Sequence, residues 1–175
     1  MKILYLLRHA HAEPHGTSFA DFDRPLDARG HLEAKAVATY IQSKKLNFDY
    51  IMCSAALRTV ETLEPLRPFL GTEAIETSEN FYNSSDELIL KHLQRISNEW
   101  QKVLYIGHNP GIAFTALKLT KIFPEVLVEG VTPATLVGFQ FPFDHWKDLE
   151  WWSGEIIDVF QPNLVSAESP LPKES

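Results

Sequence analysis

KILYLLRHAHAEP, residues 2–14, sets the architecture. From Ile3 to Leu7 every side chain is apolar and nothing alternates. A strand with one wet face alternates, whereas one covered by helices on both faces reads as an unbroken apolar run. The segment is therefore expected as a central strand inside a sheet. It is too short for a secretory apolar region or a membrane span, no cleavage site follows it, and no later apolar run reaches spanning length. Its exit is polar: Arg8, His9 and His11 come where the strand ends.

The same punctuation recurs outward from this strand. Ala12 to Asp27, with Pro14, Gly16 and Pro25, reads as a long loop. Apolar residues at helical spacing from Ala28 to Lys44 predict a helix capped by Asp27. Tyr50 to Cys53 predicts a second strand, followed by a helix over 55–70 with Ser54 as its cap and Pro65 kinking or ending it. Ser85 to Trp100 predicts a helix capped by Ser84 or Ser85, and Val103 to Ile106 a third strand. Gly107 to Gly111 turns the chain into a helix over 112–122. Thr135 to Phe141 and Glu155 to Phe160 predict two further strands around a tryptophan-rich segment. Strands alternating with helices give an α/β fold, a three-layer α/β/α sandwich with a mostly parallel central sheet. The 175 residues suit one domain over 1–165, and the polar, proline-containing 166–175 is expected as a flexible tail.

Composition narrows the partners. Sixteen basic against 23 acidic residues leave a net charge of -7, which argues against broad affinity for nucleic acid or an acidic membrane surface. A single cysteine, Cys53, cannot form an internal disulfide, so a reducing cytoplasmic location is expected. At the end of a buried strand it is expected to be chemically inert.

In sheets of this kind ligands bind beyond the carboxyl ends of the strands. That rule brings Arg8, His9 and His11 together with Ser54, Arg58 and the Gly107–Gly111 turn, which carries His108. Arginine presents a planar fork that matches phosphate oxygens and stays charged at any working pH. A histidine among such arginines serves as nucleophile or general acid. Helix N-termini near Ser54 and Pro110 add backbone donors. Together these describe a site for a phosphoryl group. The Gly107–Gly111 turn lacks the lysine and spacing of a nucleotide P-loop. His9 and His11 also have a metal-ligand spacing, so zinc competes, though the neighbouring Arg8 disfavours a cation there.

Four segments in order carry a family resemblance. LLRHAHAEP at 6–14 resembles the signature of the histidine phosphatase superfamily. DFDRPLDARGHLEA at 21–34, CSAALRTVET at 53–62 and YIGHNPG at 105–111 resemble further motifs of its SixA-like phosphohistidine phosphatase branch. The resemblance implies a phosphoglycerate mutase-like fold, with His9 attacking phosphorus to form a phosphohistidine intermediate. Arg8 and Arg58 would hold the phosphoryl oxygens, and His108 would complete the pocket. No metal or other cofactor is implied. Arg24 would contact substrate or, equally, anchor its loop through a salt bridge. His11 would be a rim residue, and Trp146, Trp151 and Trp152 core or rim.

The leaving group decides which phosphate is removed. An alkoxide needs a general acid, whereas imidazole, with a pKa of about 6.5 for its conjugate acid, leaves readily without one. In mutase-like members a glutamate stands shortly before an aromatic–glycine pair. Glu79, ahead of Phe81-Tyr82-Asn83, matches the spacing without the glycine and is the candidate acid. No insertion is long enough to close as a lid, which suits a phosphohistidine presented by another protein, such as a helical phosphotransfer domain. Three readings stay open: a protein phosphohistidine phosphatase, a phosphatase for small phosphate monoesters using Glu79, and a silent module that binds a phosphorylated partner.

Overall fold

The apolar run forms β1 (Lys2–Arg8), and it is central as its pattern predicts. In the computed structural model, which describes residues 1–16, 19–122, 125–127 and 130–162, β1 lies between β4 (Lys102–Gly107) and β5 (Leu136–Phe141). With β2 (Tyr50–Ser54), β3 (Ile75–Ser78) and β6 (Glu155–Phe160), the sheet order is β3-β2-β4-β1-β5-β6. The β1–β4, β2–β4 and β2–β3 pairings are parallel, whereas β5 runs antiparallel to both β1 and β6.

Successive side chains of the central strands serve opposite layers. Leu4, Leu6, Val103 and Tyr105 pack with α3 (Asp86–Gln94) and α4 (Gly111–Leu119). Tyr5, Leu7, Leu104 and Ile106 pack with α1 (Ala28–Lys44) and α2 (Leu57–Leu63). That division makes the three-layer α/β/α sandwich, and each fully buried Leu or Ile contributes roughly 1.5–3 kcal/mol to it. Asp27 caps α1 as expected, its Oδ1 accepting from Gly30 N at 2.8 Å.

Several boundaries differ from the sequence expectations. The helix expected over 55–70 is α-helical only to Leu63, then continues as 3-10 turns over Glu64–Phe69, where Pro65 and Pro68 withhold their N–H groups. Its N-cap is Ala56, while Ser54 Oγ accepts from Ala56 N before the helix begins. The helix expected over 85–100 ends at Gln94, with Ser85 as its cap, and the one expected to reach Ile122 ends at Leu119. β3 is an addition: it edges the sheet, and its exposed Glu76 and Thr77 hide any apolar signal. Trp146 is fully buried and donates through Nε1 to Trp100 O, whereas Trp152 is exposed. The tail expected over 166–175 lies outside the described residues.

One glycine fixes how closely α1 approaches the end of β1. A Cβ on Gly30 would stand 1.8 Å from the carbonyl oxygen of His11. Gly30→Ala is therefore expected to destabilise the fold by about 1–3 kcal/mol through overpacking. Thermal denaturation checks this: a drop of several degrees in Tm is expected at roughly 2–4 °C per kcal/mol, and an unchanged Tm would contradict the close approach.

Candidate active site

The backbone leaving β1 is held from three sides. His9 N donates to Gly107 O at 3.0 Å on β4, and His9 O accepts from Ala134 N at 3.1 Å. Ala10 N donates to Thr62 Oγ1 at 3.0 Å, and that hydroxyl donates onward to Arg58 O at 2.7 Å. The RTVET stretch thus divides its labour along one helix. Arg58 turns into the site, Thr59 bonds the carbonyls of Ser54 and Ala56, and Thr62 fixes Ala10. Glu61 receives Leu26 N at 2.6 Å and so ties down the long loop before α1.

A cavity of about 290 Å³ opens at this sheet edge, lined by residues that include Arg8, His9, Asp21, Arg24, Arg58 and His108. It gathers three arginines in a chain of net charge -7. His9 Nδ1 lies 2.7 Å from Ala10 O. Since a carbonyl only accepts, this bond assigns the proton to Nδ1 and leaves Nε2 as the nitrogen that carries the lone pair. Arg58 Nε donates toward that Nε2 at 3.3 Å. Burial, helped by the neighbouring His108, Arg58 and Arg8, holds the His9 pKa well below its ordinary value. The ring is therefore neutral at pH 7, with its nucleophilic nitrogen facing a guanidinium.

His108 sits beside it, the two ring centroids 5.1 Å apart. Burial, with Arg58 second, pushes the His108 pKa down to about 3. Its Nε2 is 2.8 Å from Ser54 Oγ, and its buried Nδ1 has no partner among the described residues. Arg8 donates through Nη1 to Val131 O at 2.8 Å, and its buried Nε also lacks a partner among those residues. Both residues line the cavity, and each keeps a polar atom that no described residue engages.

Arg24 lines the cavity, but its donors are occupied. Nε reaches Asp21 Oδ1 at 3.0 Å, Nη2 the same oxygen at 2.9 Å, and Nη1 the carbonyl of Glu13. These bonds are the loop anchor weighed for it above. Glu79 stands exposed at the first position of a 3-10 turn over Glu79–Phe81 and does not line the cavity. His11 lines the rim, with Nδ1 2.5 Å from Asp27 Oδ2. Among the described residues no group of three or more His, Cys, Asp or Glu side chains is arranged to hold a metal ion. No helix among them is long and apolar enough to cross a membrane. Cys53 is fully buried, and burial pushes its thiol up to about 12.

Two residues of the site carry no expectation from sequence. Asp21 accepts from Arg58 and Arg24, and Tyr82 donates to it. Tyr82 also lies with its ring centroid 5.8 Å from the Arg58 guanidinium carbon and packs edge-on against His108. Asp21 stands three residues before Arg24, a spacing at which ion pairs form, and that was its only local signal.

The model of the histidine phosphatase superfamily (branch 1) matches residues 4–83. An uncharacterized protein of Mycobacterium leprae is 28% identical over 170 residues, covering 89% of this chain and 99% of its own length. SixA from Nakamurella multipartitia superposes with a TM-score of 0.80 at 24% identity, covering 93% of this chain and 96% of that one. The protein histidine phosphatase SixA complexed with tungstate gives a TM-score of 0.71 at 20% identity, over 90% and 95% of the two chains. At such identities the two superpositions establish a likeness of fold.

Proposed function

We propose that this chain, whose residues 4–83 match the model of the histidine phosphatase superfamily (branch 1), hydrolyses phosphohistidine on another protein through a phosphorylated His9. The observation that carries the chemistry is the 2.7 Å contact of His9 Nδ1 with Ala10 O, which puts the proton on Nδ1 and leaves the lone pair on Nε2, the nitrogen that faces Arg58. The Nε2 lone pair attacks phosphorus as the P–N bond to the substrate imidazole breaks. That imidazole, protonated by solvent on its other nitrogen, departs neutral. Because His9 keeps its Nδ1–H, the phosphorylated ring is an imidazolium. It therefore leaves as neutral imidazole when water attacks phosphorus in the second step, and the water's proton goes to the released phosphate. Arg8, Arg58 and His108 supply the donors for the phosphoryl oxygens, so this chemistry asks nothing of a metal. The tungstate held by the SixA protein of similar fold is a tetrahedral oxyanion of the same kind.

The choice of leaving group rests on acids. Among the described lining residues the one carboxyl is Asp21. Hydrogen bonding from Tyr82, followed by Arg24 and Arg58, holds it well below the usual carboxylate range. An ionised carboxylate gives no proton to an alkoxide, whereas an imidazole leaving group needs none from it. The buried, unpaired Cys53 is in keeping with a cytoplasmic partner.

Steady-state kinetics on phosphohistidine peptides, phosphohistidine domains and common phosphate monoesters test the proposal. Phosphohistidine is expected to be the preferred substrate, and efficient turnover of free monoesters alone would overturn it. Glu79→Gln is expected to leave phosphohistidine turnover within about twofold, as for an exposed side chain outside the site. A large loss on esters with this variant would favour the monoester reading. Phosphoprotein binding by the wild type with no turnover would favour the silent module.

A further inference from the structure

Asp21 is out of place in a pocket for a phosphoryl dianion, because a carboxylate there repels the substrate. Its contacts give the reason for its presence. Oδ2 accepts from Arg58 Nη2 at 3.2 Å and from the Tyr82 hydroxyl, and the backbone carbonyl of Asp21 accepts from Arg58 Nη1. Oδ1 takes Arg24 on its other side and lies 3.2 Å from His15 Nδ1. One carboxylate therefore joins the 12–27 loop, the turn after β3 and the start of α2. Arg58 is buried, and its guanidinium is gripped on two nitrogens by the carbonyl and the carboxylate of Asp21 while the third, Nε, points at His9 Nε2. Tyr82, bonded to the same oxygen of Asp21, lies against that guanidinium and against the His108 ring.

We infer that Asp21 is a positioning residue: with Tyr82 it orients Arg58 so that Nε faces the attacking nitrogen, at the cost of weaker ground-state binding of the phosphoryl group. The inference rests on the phosphatase reading proposed above. Arginine left to itself samples many rotamers, and an error of about 1 Å in a catalytic group can cost on the order of 100-fold in rate. A charge that opposes the substrate is tolerated where the geometry it imposes acts in the transition state.

A role through Arg58 separates kcat from KM. Asp21→Ala is expected to lower kcat about 10- to 100-fold on a phosphohistidine peptide while KM stays level or falls, since a repulsive charge is gone. Asp21→Asn, which keeps an acceptor oxygen for Tyr82 and Arg58, is expected to recover part of kcat. In an Arg58→Ala background, Asp21→Ala is expected to cost nothing further, because residues acting as a unit are non-additive. The same fold loss in both backgrounds, or a rise in KM with kcat unchanged, would overturn the inference. Should a variant melt near the assay temperature, the cycle is read with Asp21→Asn. If the wild type turns over phosphohistidine and His9→Ala does not, the phosphatase reading stands and an additive cycle removes only the role of Asp21. If the wild type turns over no phosphorylated substrate, both fall.

Discussion

His9→Ala is expected to lower kcat/KM on phosphohistidine by on the order of 10⁴-fold or more, the scale seen when a covalent nucleophile is deleted. Among the described residues no other histidine of the cavity is placed to replace it: His15 lies against Asp21 and Arg24. The His108 ring is held by Ser54, and His11 is engaged by Asp27. The fold is expected to survive, because among the described residues the His9 side chain bonds only Ala10 O and Arg58, and its backbone bonds to Gly107 and Ala134 are kept by alanine. Rapid quench with radiolabelled substrate supplies a second readout. The wild type is expected to trap an acid-labile, base-stable phosphoryl adduct, and the variant none. Substantial turnover by a folded His9→Ala protein would mean that another group attacks phosphorus.

The legible part of this molecule is what short-range pattern controls. The unbroken run 3–7 and the runs on β2 and β4 mark buried strands because helices cover both faces, and each delivers its polar exit residues to the same sheet edge. Asp27 announces α1 because a cap acts three residues away. β3 escapes notice for the converse reason: an edge strand with solvent on its side carries no apolar signature. The contacts that tune the site are non-local. Asp21 meets Arg58 across 37 positions and Tyr82 across 61, and no periodicity encodes either pairing. Glu79 shows the limit of spacing alone. The 3-10 turn that it begins buries Phe81, and the carboxyl itself is left exposed, outside the cavity lining.

Arg58→Ala is expected to reduce kcat by about 10²- to 10³-fold, the usual loss when one oriented donor to developing negative charge is removed. KM is expected to rise as well, since the same cation serves the bound phosphoryl group. The effect exceeds that of an ordinary surface cation because Arg58 is buried and its Nε stands 3.3 Å from His9 Nε2, within reach of a phosphoryl group carried on that nitrogen. Arg58→Lys separates charge from geometry. A lysine restores the positive charge but brings a single nitrogen in place of a planar fork, and so cannot meet Asp21 on two sides while also facing His9. It is expected to recover phosphate binding, read as the inhibition constant of inorganic phosphate, while leaving kcat depressed by at least about tenfold. Full recovery of kcat by lysine would show that position along the attack path matters less than charge. In that event Asp21 would lose its reason for standing in an anion site.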